Sequence, residues 1–184
     1  MIVELTALWL PILFSAIAVF IASSLLWTVV PWHNSDWQKL PNEEAARQAL
    51  SGTPPGDYNL PHAADGKARR SADWQAKYRE GPAAMLTVLP HGSMAMGKQF
   101  VQWILYCLVI SLVVAYVAAA TLDAGTDYLK VFQVTGTTAW LAYAGAAAPG
   151  SIWFGHGWGR TFKDTVDGLV YALLTAGIFG WLWP

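Results

Sequence analysis

Four long apolar runs alternate with polar stretches along the chain. The first, 5–30, follows Glu4, lacks a basic leader and has no small-x-small cleavage site behind it. It therefore reads as an uncleaved transmembrane helix rather than a signal peptide. Pro11 either opens this helix in its first turn or kinks it, and Pro31 ends it. The next stretch, 31–98, is polar and broken by Pro and Gly. Asn42 ahead of Glu43 and Glu44 predicts a capped short helix over 43–50, and Ser71 caps a second one running to Glu80, where Gly81-Pro82 stops it. Residues 51–68 read as loop. The run Met85-Leu-Thr-Val-Leu89 is either a strand or an interfacial contact. This segment holds too few apolar residues for a large core of its own.

Three further apolar runs predict helices over about 99–122, 130–150 and 165–184. In the second helix Cys107, Ser111, Ala115 and Ala119 form an every-fourth small ridge opposite Leu105, Val109, Val113 and Val117. Thr138, Ala142, Ala146 and Gly150 do the same in the third, whose second half is small nearly all round and suits a central position. In the fourth, Gly168, Ala172, Ala176 and Gly180 oppose Val170, Leu174, Ile178 and Leu182. Small ridges let membrane helices approach closely, and bulky ridges face lipid. The expected fold is all-α and integral to a membrane: four transmembrane helices with a small, mostly irregular insertion between the first and second. The expected division is a first helix (5–30), a cytoplasmic insertion (31–98) and a three-helix unit (99–184).

Composition agrees with that class: 55% hydrophobic residues and a mean hydropathy of +0.36 in 184 residues lie outside the ordinary soluble range. The 11 Lys and Arg nearly balance 12 Asp and Glu, so net charge carries no nucleic-acid footprint. Their placement matters more. All but Lys130 fall in 31–98 or 151–164, which puts both connections in the cytoplasm and both termini in the periplasm. Most of the 11 tryptophans, Trp181 and Trp183 included, fall near the ends of the apolar runs, as an interfacial aromatic belt does. Cys107 stands alone in apolar sequence, where a thiol is inert.

The candidate chemistry is sparse. His33, His62, His91 and His156 invite a metal or haem reading, but none forms the close ligand pair that such sites use, so they read as polar loop residues and no cofactor is expected. Gly155-His-Gly-Trp-Gly-Arg160 with Lys163 heads the fourth helix, and His156, Arg160 and Lys163 there suit a lipid phosphate or another anion. The stretch is no Walker loop, since the residue order and the preceding strand are missing. Asp164 reads as a cap. Asp167, a turn deeper, pairs with Arg160 or Lys163 or relays protons. Gln102, Gln133, Thr135, Thr137 and Thr138 are expected to bond between helices.

Four stretches, Gly56-Asp-Tyr-Asn-Leu-Pro61, Tyr78-Arg-Glu-Gly-Pro82, Ser151-Ile-Trp-Phe154 and Asp167-Gly-Leu-Val-Tyr171 through Phe179-Gly-Trp-Leu-Trp-Pro184, resemble a group of small bacterial inner-membrane proteins with no assigned activity. The resemblance implies an inner-membrane location and transfers no mechanism. The functional expectation is a non-enzymatic scaffold or accessory subunit that packs with itself or within a larger membrane complex and contacts anionic lipid. The alternatives are a subunit of a small oligomeric transporter or channel, and a membrane enzyme or metal- or haem-binding protein built on the loop histidines.

Overall fold

The computed structural model describes residues 3–92 and 96–184. Residues 93–95, near the end of the expected insertion, and the first two residues lie outside that description. Among the described residues 69% are helical, counting the 3-10 turns, and there are 8 α-helices. In order it runs through a 3-10 turn (Leu5–Leu8), α1 (Trp9–Thr28), a second 3-10 turn (Pro31–Asp36), α2 (Glu43–Ala49), β1 (Gly56–Leu60), α3 (Gly66–Arg69), α4 (Ala72–Glu80), β2 (Ala84–Val88), α5 (Gly97–Thr121), α6 (Tyr128–Ala144), α7 (Ala147–Phe154) and α8 (Trp158–Trp181). Two compact units emerge: Met1–Gln38 with Ala95–Pro184, and Lys39–Met94.

The smaller unit is an antiparallel hairpin with short helices around it. β1 and β2 pair Gly56 with Val88 through to Leu60 with Ala84, so the stretch 51–68, expected as loop, contains a strand and the short α3. Asp57 and Thr87 face each other across the ladder and bond at 2.7 Å. Ser71 caps α4 by accepting from the Trp74 N–H, whereas Asn42 makes no side-chain cap. Trp74 donates its indole N–H to the Pro61 carbonyl at 3.2 Å and stacks on Tyr78. No described residue from 39 to 92 is buried, which matches the shortage of apolar side chains there.

The larger unit is a ring of four helices in which α1 packs on α5, α5 on α6, α6 on α8 and α8 on α1. Pro11 lies in the first turn of α1, where its missing N–H is not needed. Antiparallel packing is fixed by contacts at both ends: Ala144 meets Gly168, and Tyr128 meets Gly180. The two termini share one end. The Pro184 carbonyl accepts from the Gly125 N–H at 2.7 Å, the Trp183 indole donates to the Asp123 carbonyl, and Val3 is buried in one cluster with Leu122. Leu5–Thr28, of 24 residues, and Gly97–Thr121, of 25, are long and apolar enough to cross a membrane.

The third and fourth apolar runs depart from expectation in instructive ways. The helix expected over 130–150 stops at Ala144 and restarts at Ala147. Pro149 has no N–H to return to the Gly145 carbonyl, so it is tolerated only in the first turn of a new helix. Ala146 is consequently exposed at the break, and Gly150 belongs to α7, where a Cβ would fall 2.8 Å from the His156 ring. The buried stripe of α6 is Val131, Thr135 and Ala139, displaced from the expected Thr138–Ala142–Ala146–Gly150. The link 151–164 is also mostly helical. α7 ends on left-handed Gly155 (φ 71°) and α8 begins at Trp158, so Arg160, Lys163 and Asp164 lie within α8 rather than before it.

α8 is the helix that touches most of the others. On its α6 side a Cβ on Gly168 would sit 2.9 Å from the Ala144 Cβ and 3.2 Å from its backbone nitrogen, and one on Gly180 would fall 2.7 Å from the Tyr128 ring. Ala172 and Ala176 complete this side, with the Ala176 methyl 3.1 Å from a Cβ placed on Gly136. Tyr171, Thr175 and Phe179 are buried on a second side. The expected bulky ridge is open only at its end, where Leu182 is exposed: Val170, Leu174 and Ile178 are half-buried, and Leu169 and Leu173 point outward. In α5 the small ridge Cys107, Ser111 and Ala115 is fully buried, with Leu105, Val109 and Val113 outside.

Candidate functional site

The turn that follows α1 folds onto the head of α8 and buries four ionisable side chains together. Pro31 ends α1 and starts the 3-10 turn, which carries His33 inward. His33 is 4% exposed and Asp167 3%. The His33 Nδ1 meets the Asp36 carboxylate at 2.7 Å, and Nε2 meets Asp167 at 3.0 Å. Trp27, in the last turn of α1, stacks on the imidazole at 4.0 Å with planes 6° apart, and Trp32 closes its edge at 5.4 Å. Lys163, four residues before Asp167 and thus on the same face of α8, reaches back to the turn. Its ammonium donates to the Trp32 carbonyl at 2.6 Å, the Ser35 hydroxyl at 2.7 Å and Asp36 at 2.5 Å.

Three donors and three acceptors use the ammonium completely. Lys163 is thus an internal partner of Asp36, not an open cation for a lipid phosphate, which leaves His156 and Arg160 of the three residues expected to meet an anion there. Arg160 lies 3.8 Å from Asp164 and 5.1 Å over the Trp37 ring, so Asp164 is a helical pairing residue rather than a cap. His156 is exposed in the link, and its backbone N–H donates to the Gly150 carbonyl at 3.2 Å. Asp167 pairs with neither Arg160 nor Lys163, contrary to expectation, but with His33. The histidines divide: His33 and His156 belong to the helical unit, in unlike surroundings, and His62 and His91 to the smaller one. Among the described residues no group of His, Cys, Asp or Glu is arranged to hold a metal.

The two carboxylates around His33 differ. Burial would raise the Asp36 carboxyl, but the Lys163 ammonium and His33 outweigh it and hold the group below the ordinary aspartate value of 3.8. Because the folded form binds its proton less readily than the unfolded one, Asp36 stabilises the fold above pH 3.8 and ceases to as acid protonates it. Melting temperature should accordingly fall in that acid range for the native chain and change much less with pH in Asp36→Asn. An equally steep acid limb in both would remove Asp36 as its source. One oxygen of Asp167 faces the imidazole, and its other oxygen, Oδ1, is buried without a hydrogen-bond partner among the described residues. The imidazole thus bridges the two carboxylates, one at each ring nitrogen.

The glutamines and threonines expected to bond between helices do not join this cluster. Thr135, Thr138 and Thr175 donate to the carbonyl four residues back on their own helices, and Gln102, Gln133 and Thr137 are exposed. Among the described residues the expected interhelical bonds from these side chains are absent; Trp103 to Ser23, at 2.8 Å, is an α5–α1 bond that forms. The local signal for the buried cluster was Trp-His-x-x-Asp immediately after an apolar helix, together with Lys163 and Asp167 four apart. No family model, curated protein or solved structure matches the chain.

Proposed function

We propose that the chain is a multi-pass scaffold or accessory subunit of the bacterial inner membrane, with α1, α5, α6 and α8 all crossing the bilayer and acting through helix packing. The observation that carries this is the outside of the ring. Ile21 (53% exposed), Leu105 (54%), Leu129 (70%) and Leu173 (49%) place open apolar side chains on all four helices, which is a surface for lipid and not for water. α6, at 17 residues, spans about 26 Å and is accommodated by slight local thinning. The charged head of α8 lies at headgroup level, with the His33 cluster just beneath it. In this orientation the Lys- and Arg-rich connections face the cytoplasm and the termini the periplasm.

A scaffold fits better than a pore because Gln102, Gln133 and Thr137 are exposed outside the ring and Thr135, Thr138 and Thr175 are bonded to their own helices. One observation favours a second reading, a subunit of a proton-linked transporter: the buried His33–Asp167 contact, beside a carboxylate oxygen without a hydrogen-bond partner among the described residues. Proteoliposomes carrying a pH-sensitive dye separate the two. The scaffold reading expects no proton flux above that of empty vesicles and no difference on Asp167→Asn. Flux abolished by Asp167→Asn would replace it with the transporter reading.

A further inference from the structure

Each of the four ring helices carries a buried polar atom that the fold leaves poorly served. Ser15 on α1 and Ser111 on α5 are fully buried, and neither hydroxyl has a hydrogen-bond partner among the described residues. Ser23, Ser24, Thr135 and Thr175, by contrast, fold their hydroxyls onto carbonyls of their own helices. On α8 the Asp167 Oδ1 is likewise unpartnered, and on α6 the Tyr143 hydroxyl has only the Cys107 thiol, a weak partner. These atoms follow one another through the interior. Asp167, Tyr171 and Thr175 lie four apart and share a face of α8. The Tyr171 ring meets the edge of Tyr143 at 5.4 Å, and both pack with Cys107 and Ala16, the one a turn before Ser111 and the other next to Ser15. Trp103 bonds to Ser23 and Phe100 meets Phe20, so α1 and α5 run antiparallel, and Ser15 and Ser111, eight residues on from that bond, are level. Beyond them, toward the termini, Leu8, Val114, Val131 and Phe179 fill the ring, all fully buried.

We infer that the ring encloses a dead-end file of bound water, running from Asp167 past Tyr143 to Ser15 and Ser111, where the apolar side chains stop it. The donors and acceptors match that occupant. Water accepts from the Ser15, Ser111 and Tyr143 hydroxyls. It donates to Asp167 Oδ1 and to the Thr175 oxygen, whose own proton is committed to the Tyr171 carbonyl. Buried water is held by several such partners at once, and a buried polar atom left with none is costly. The file is internal to the ring, so it needs no partner chain and no particular orientation in a bilayer.

X-ray radiolytic footprinting of the full chain in detergent micelles tests this, because hydroxyl radicals formed from bound water oxidise the side chains beside it. Tyr171 and Phe179 are both buried, at 5% and 0% exposed, yet Tyr171 should be oxidised several-fold faster. The double variant Ser15→Ala/Ser111→Ala removes two of the water's anchors and should lower the Tyr171 rate about twofold or more, with the rate at exposed Tyr116 unchanged. Equal protection of Tyr171 and Phe179 would overturn the inference, and equal oxidation of the two would overturn the apolar end. A Tyr171 rate indifferent to the double variant would place the serine hydroxyls on their own helices and overturn the file as well.

Discussion

Lys163→Met should destabilise the protein by about 3 kcal/mol or more, measured by reversible SDS unfolding in mixed micelles. The physical reason is asymmetry. The ammonium removed is the counter-charge of Asp36, whose side chain is 4% exposed, and methionine fills the stem's volume while leaving a buried carboxylate with His33 alone. Removing one partner of a buried pair costs far more than the pair itself contributes, because the orphan keeps its desolvation penalty. The double variant Asp36→Asn/Lys163→Met should therefore lose less than the sum of the two singles, by about 1 kcal/mol or more, as contacting residues do. Additive losses would mean that the two side chains act independently and that the observed bonds carry no energy.

Gly168→Leu should cost about 1–3 kcal/mol in the same assay, the usual penalty of overpacking. The first atom of any side chain there already lies 2.9 Å from a methyl and 3.2 Å from backbone, so α6 and α8 must separate along their length. Ala176→Leu belongs to the same class, since Ala176 is fully buried and its methyl is set against Gly136. Leu169→Ala and Leu173→Ala, on the outward side, should change stability by less than about 0.5 kcal/mol. In lipid there is little hydrophobic gain from leaving one apolar surface for another, so the close α6–α8 approach must supply the packing energy. Equal losses in the two sets would mean that the faces of α8 are misassigned.

Much of the helical unit was legible because periodicity is local. The every-fourth small residues of α5 and α8 marked their packing faces, and Gly168, Ala172 and Ala176 are where that pattern predicts. Misreadings arose where one residue outweighed a pattern. Pro149 cut the third helix short of Ala146 and Gly150 despite a continuous small-residue run. Glycines 155, 157 and 159 suggested a loop, but glycine and arginine continue α8 once Gly155 has closed α7. The threonines were misread because a hydroxyl's nearest acceptor in a helix is its own carbonyl four residues back, a choice that no spacing between helices reveals. The two halves of the His33 cluster carry local signals, but their meeting does not show in the sequence. His33 and Asp167 are 134 residues apart, and only the fold brings the turn after α1 onto the head of α8.

Site-by-site labelling of the full chain in spheroplasts tests most directly whether all four helices cross the membrane. Single cysteines at Gly66, Asp127, His156 and Pro184, each in a Cys107→Ser background, are exposed to a membrane-impermeant maleimide. The four-span bundle predicts labelling at Asp127→Cys and Pro184→Cys and protection at Gly66→Cys and His156→Cys until the cells are lysed. Labelling at His156→Cys in intact spheroplasts would leave only α1 and α5 as spans, and labelling at Gly66→Cys with protection at Pro184→Cys would invert the whole orientation.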